Sequence, residues 1–244
     1  MPAAVEPLRP LLDLPGVDPA ATAAREAVDL LRRHRVLRRR SAEVSAEAAL
    51  HGARASAALD GADYPLAEVR GGEITDPVLQ GALRVSAALG GLVGTWRVAP
   101  LQVLARLHVL AASGRTEELG RPVLADSGRL TALAGLVVSG GGVPAVVLAA
   151  VVHGELLALT PFPVANGVVA RAASRLTAVA AGLDPHALSV PEVGHLAAGD
   201  YDEAAAAYSS GTPDGLTRWI LHCCRAFERG AQEGLAICQA VQRG

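Results

Sequence analysis

The chain has 244 residues, 51% of them hydrophobic, which is enough for one sizeable core; one domain with short additions is the expectation at this length. The charged fraction is 19% and the net charge is −2, so no global bias points to nucleic acid or to an anionic membrane. All 22 basic residues are arginine, which together with the abundant alanine reads as a signature of genome composition rather than of function.

Residues 1–18 are proline-rich and are expected to be irregular. A helix is predicted from Asp18-Pro19, with Asp as N-cap and Pro at the first position, running through Ala24, Val28, Leu30 and Leu31 to Arg33. The run Arg32 to Arg40 is strongly basic. It lacks interleaved aromatics, and Val36 and Leu37 within it look like core contacts, so it reads as a solvated helix end and turn. Ser41 to Leu59 reads as a second helix ended by Gly61. Asp76-Pro77 opens a third, through Leu79, Leu83, Val85 and Leu89, expected to stop at Gly90-Gly91. Pro100 opens a fourth, which reaches Ala112 with Gly114 as its stop; its apolar positions 101, 104, 107, 110 and 111 recur at helical spacing. Gly120 to Asp126 is the one plausible extended stretch. Gly128 to Val138 is helical and breaks at Ser139 to Gly142. Val143 to Leu159 is an apolar helix halted before Pro161. Its apolar run is too short to span a bilayer, and no membrane association is expected. Further helices are predicted over Asn166 to Ala181, Pro191 to Ala198, Tyr201 to Tyr208 and Asp214 to Val241. Nothing alternates with period two for long and no internal repeat is visible, so the class is all-α.

Cys223, Cys224 and Cys238 match no zinc spacing and read as buried free thiols. With no basic-then-apolar pattern at the N-terminus, a reducing cytoplasm is the expected location. His51, His108, His153, His186, His195 and His222 show no two- or four-residue metal spacing. His108 and His153 lie in apolar helices and read as satisfied core residues. No metal site is expected.

The informative segment is Thr160-Pro161-Phe162-Pro163-Val164-Ala165-Asn166-Gly167-Val168-Val169-Ala170-Arg171. It is a loop between a buried helix and a second helix starting near Asn166. Such a start presents unsatisfied N–H groups and a positive dipole end, both of which favour an anion. Gly167 lets a ligand approach the backbone, and Arg171, one turn on, can reach the same anion. By itself the segment reads first as a tight helix–loop–helix with an ordinary surface arginine.

The segment resembles the motif of the Fic (Fido-fold) family, H-P-F-x-D/E-G-N-G-R-x-x-R. Pro161, Phe162, Asn166, Gly167 and Arg171 match at the same spacing. Around it, His153 in the preceding helix, Leu107-His108 at the end of an earlier helix and Trp219 in the last helix are similar to family features. Ser56-Ala57-Ala58-Leu59-Asp60-Gly61 resembles the N-terminal inhibitory motif S/T-x-x-x-E-G/N, with Asp for Glu. The resemblance covers roughly residues 41 to 240. It implies the helical Fic fold, with a short β-hairpin flap near 120–126. It divides the chain into an N-terminal extension and helix (1–40) and a Fic-like helical domain (41–244) that includes an inhibitory-type helix over 41–61.

The departures from the motif remove chemistry. In active members, the resemblance implies, the motif histidine takes a proton from a target hydroxyl so that it can attack the α-phosphate of ATP. Position 160 is Thr160, which cannot act as that base. The acidic residue that holds magnesium falls at Val164, and a valine offers no oxygen to a hard cation. The first glycine is Ala165 and the first arginine is Val168. What remains is Asn166 and Gly167, which in the family contact phosphate, and Arg171, which holds the γ-phosphate or pairs with the inhibitory acid. An Asp60–Arg171 ion pair, direct or through one water, is expected to plug the site, although Asp is one methylene shorter than Glu. The reading is therefore a degenerate Fic-like protein, a pseudoenzyme acting as a binding or scaffold module. A phosphate or nucleotide is its candidate ligand at Asn166, Gly167 and Arg171, bound without magnesium. The alternative is a Fic-type nucleotidyl (AMP) or phosphoryl transferase with altered chemistry. The expected partner is an unidentified protein, with a homodimer left open and nucleic acid not expected.

Overall fold

A computed structural model describes residues 6–123 and 128–243. After a short 3-10 helix at Arg9–Asp13, the helices are α1 (Val17–Arg32), α2 (Leu37–Leu59), α3 (Leu66–Gly71), α4 (Pro77–Trp96), α5 (Pro100–Ala112), α6 (Gly128–Ser139), α7 (Ala145–Leu159), α8 (Asn166–Ala180), α9 (Pro191–Ala198), α10 (Tyr201–Ser209) and α11 (Pro213–Arg243). No strand occurs among the described residues. The expected flap is irregular over 121–123, and its residues 124–126 lie outside the described residues.

Helix α7 is apolar on every side, and its burial follows from that. Val146, Val147, Ala149 and Ala150 face one hydrophobic cluster, while Leu148, Val152 and Leu156 face a second. The first cluster joins α1, the start of α2 and α9 to α11. The second joins the end of α2 with α3 to α6 and most of α8. Helices α7 and α8 thus stand between two cores, with the loop that links them held from both sides. Helix α1 shows the simplest sequence logic: Val17, Ala21, Ala24, Val28 and Leu31 recur on one face, and all five are buried against α11. Burying the larger ones contributes about 1.5–3 kcal/mol each.

Several expected boundaries move. Helix α1 begins at Val17 with Gly16 as N-cap at φ 78°, so Asp18 lies in the first turn instead of capping it. Helix α2 begins at Leu37, four residues early, with a kink at Arg40 where the guanidinium bonds Glu43 and the Val241 carbonyl. Asp76 does cap α4, accepting from the amides of Val78 and Leu79. Gly90-Gly91 do not end α4, however, which continues to Trp96. The buried Trp96 indole donates to Thr177 Oγ1 at 3.2 Å, and that anchor outweighs the roughly 1 kcal/mol that each helical glycine costs. Short α3 had no periodic signal. By length and composition alone α4 could cross a membrane; here it packs with α2, α5 and α8. Its Gly81 is required by packing, since a Cβ there would strike the Ala111 carbonyl of α5. In the basic run Val36 is buried and Arg33, Arg38 and Arg39 are exposed, as the solvated-turn reading requires.

Candidate functional site

Helix α7 ends at Thr160 in the left-handed region (φ 42°, ψ 58°), and Ala165, also left-handed (φ 62°, ψ 20°), precedes α8. Both turns are made by residues with a Cβ, where the backbone favours glycine. The loop between them is tied internally by Asn166. Its Oδ1 accepts from the Phe162 amide at 3.0 Å and its Nδ2 donates to the Phe162 carbonyl at 2.7 Å. Phe162 is buried and stacks on His108 at 4.2 Å between ring centroids. His108 Nδ1 in turn accepts from the Gly120 amide, and the Val123 amide donates to the Pro161 carbonyl. The loop's shape is therefore set by Asn166, Phe162 and His108.

Val168 is buried and Val164 is partly buried, both against the second hydrophobic cluster. Thr160 is exposed. Arg171 lies on α8 with its side chain only 2% exposed. Its Nε donates to Ser56 Oγ at 2.9 Å, one terminal nitrogen donates to the Ser56 carbonyl at 2.8 Å and to Asp60 Oδ1 at 2.6 Å, and the other reaches the Tyr201 hydroxyl at 3.3 Å. Burial opposes the charge of Arg171, but Tyr201 and the Asp60 carboxylate more than offset it, and the guanidinium is held more firmly protonated than a free arginine. Asp60 is the C-cap of α2, where the helix dipole disfavours a carboxylate, so the arginine compensates a local cost. Gly61, with φ 90°, ends the helix just past it. The expected Asp60–Arg171 pair is thus direct. It lies over Gly167, where a Cβ would collide with Asp60 Oδ1 and crowd the guanidinium. The structure brings Ser56, Asp60, Gly167 and Arg171 together; Asn166 is turned inward to the loop backbone.

Behind Arg171 is a polar network that the sequence did not announce. Tyr201 bonds His153 Nε2 at 2.8 Å, His195 Nδ1 bonds His222 Nε2 at 2.9 Å, and His222 Nδ1 bonds Asp200 at 2.9 Å. Burial pushes the Tyr201 phenol up to about 12 and holds His153 and His195 well below the usual histidine value, hence neutral. The expectation of satisfied core histidines needs correction at His153, whose Nε2 is bonded while its Nδ1 is buried without a hydrogen-bond partner; the His108 ring has the Gly120 amide on one nitrogen and the Val164 backbone as a further neighbour. The three cysteines are buried and free, as expected. A usable signal for the network existed in the scarcity of aromatics, with two Trp, three Tyr and two Phe in the chain, because Tyr201 and Trp219 are spent on this one neighbourhood.

The chain is similar in structure to a Fic family protein from Desulfovibrio desulfuricans G20, with TM-score 0.70 and 16% identity over 91% of this chain and 74% of that one. It is likewise similar to Fic-1 from C. elegans, with TM-score 0.73 and 15% identity over 92% of this chain and 73% of that one. Neither a protein-family model nor a curated protein matches the sequence. The chain has the Fic fold.

Proposed function

We propose that this is a catalytically silent Fic-fold protein, a binding or scaffold module whose phosphate loop is closed by its own Asp60–Arg171 pair. The observation that carries this reading is the position of that pair over Gly167, on the side of the loop to which the family resemblance assigns the phosphate. The groups around it agree. Thr160 offers no base near neutral pH, and Val164 and Val168 lie against apolar neighbours, so neither can ligate a cation or neutralise a phosphate. The residues present do not fit a magnesium-bound nucleotide. A bare phosphate group is the ligand class that Arg171 and the start of α8 suit, and it must displace Asp60 to bind.

The test is incubation of the chain with ATP labelled at the α-phosphate, with and without magnesium, alone and with cell lysate. No incorporation is expected. Label that transfers and then disappears in an Arg171→Ala variant would overturn the reading. In calorimetry with inorganic phosphate, binding should be weak, independent of magnesium and stronger in Asp60→Ala, because the competing carboxylate is gone. Strictly magnesium-dependent ATP binding contradicts it.

A further inference from the structure

One nitrogen of His153, one of His195 and the Sγ of Cys223 all lie within 4.8 Å of one another in the interior. The residues come from α7, α9 and α11, and each is at most 3% exposed. His153 Nδ1 is buried with no hydrogen-bond partner, which is unfavourable whichever tautomer is present. We propose that His153, His195 and Cys223 form a trigonal site for a soft monovalent transition-metal ion, copper(I).

The outer contacts have the form that metal-bound histidines require. A ligating ring normally donates its second N–H to another group, which fixes the tautomer and orientation. Here His153 has Nε2 against the Tyr201 hydroxyl, leaving Nδ1 as its ligand atom. His195 has Nδ1 against His222 Nε2, and His222 Nδ1 is held by the Asp200 carboxylate, leaving Nε2 of His195 free to ligate. Asp200 accepting from His222, and His222 accepting from His195, is a proton arrangement that presents a lone pair at that nitrogen. Bonds of about 2.0–2.3 Å in a plane would bring the three ligand atoms to roughly 3.5–4 Å from each other. The ligand atoms now lie within 4.8 Å of one another, so ligation needs them to close by up to about 1.3 Å.

Charge selects the ion. Arg171 is buried nearby, and its positive charge is felt by both His153 and His195. Zinc(II) with one thiolate and two neutral imidazoles would keep a net positive charge beside that guanidinium, at a high cost in a dry interior. Copper(I) with the same ligands is neutral, and thiolate with imidazole is a ligand set it accepts. Binding forms a copper–sulfur bond as the Cys223 thiol proton leaves to solvent, with no electron transferred. Copper would also keep the His153 proton on Nε2, facing Tyr201, which contacts Arg171 from behind.

The full chain, reduced and equilibrated with copper(I) buffered by bathocuproine disulfonate, should take up one copper per chain and melt at a higher temperature. Its X-ray absorption should show two nitrogen ligands and one sulfur. Cys223→Ser and His153→Gln should each weaken uptake at least about tenfold, and Cys238→Ser should not. No uptake at equilibrium, uptake unchanged in Cys223→Ser, or a spectrum with two sulfur ligands (the adjacent Cys224 joining in) would overturn the site. Tighter binding of zinc(II) than of copper(I) would overturn the choice of ion. Should a variant fail to fold, the ligand count in the parent protein still decides.

Discussion

Arg171 and Arg175 stand one turn apart on α8 and are almost equally hidden, with side chains 2% and 5% exposed, yet they serve different regions. Arg171 faces the loop mouth, where Asp60 is 19% exposed and water is close. Arg175 faces the joint between α8, α9 and Gly52 of α2. There it pairs with the buried Glu192 at 3.5 Å and donates to the carbonyls of Ala187 and Ser189. The polypeptide around Arg175 is closed on itself. Around Arg171 the counter-charge is a partly exposed carboxylate, with Ser56 and Tyr201 as the remaining partners. A buried arginine in a motif is therefore not evidence of a ligand; the accessibility of its counter-charge is what separates the two sites.

The largest expected effect tests the closed region. Arg175→Ala leaves Glu192 buried at 6% exposure without its cation, and should cost about 3–5 kcal/mol in urea unfolding. Arg171→Ala should cost less, about 2–3 kcal/mol, because Asp60 can turn to water. Equal losses would remove the distinction between the two regions.

Asp60→Ala sharpens the same comparison from the other side. It strands the Arg171 guanidinium with only Ser56 and Tyr201 as partners, and should cost about 1.5–3 kcal/mol, partly recovered by added phosphate. A variant that melts like the parent would show that the pair contributes no net stability.

Ala165→Gly probes the loop backbone alone. Ala165 is held left-handed at φ 62°, so glycine there should raise stability by about 0.5–1 kcal/mol despite the extra freedom of the unfolded chain. A melting temperature that falls would mean that the buried Ala165 methyl matters more than the backbone strain.

The smallest effect lies far from α8, at the contact of α2 with α3. The hydrogen bond from Arg70, together with its charge and that of His51, holds the Glu47 carboxyl below the usual glutamate range. A depressed carboxyl stabilises the fold above its unfolded pKa and loses that contribution as pH falls through the folded value. Glu47→Gln should therefore lower stability at pH 7 by less than about 1 kcal/mol, the pair being partly exposed, and the difference from the parent should vanish in acid. A difference that grows on acidification would reverse the sign.

Much of the fold was legible in the sequence because its signals are local. Asp76-Pro77, Pro100 and Pro191 open helices where the missing amide of proline costs nothing, and the Thr160 to Arg171 segment carries its own loop chemistry: Asn166 closes on Phe162 four residues away. That Thr160 is no base near neutral pH and Val164 no metal ligand is a matter of residue type, settled by the sequence itself. Local signals failed where a distant contact outweighed them, as when Trp96 on Thr177 carries α4 through two glycines. The convergence of His153, His195 and Cys223 and the Arg175–Glu192 joint belong to tertiary structure alone, whereas the Asp60–Arg171 pair was expected from the two motifs and only its direct contact was decided by the fold. Each depends on which faces of α2, α7, α8, α9 and α11 meet. Burial of apolar surface across the whole chain decides that, and no spacing within a single helix encodes it.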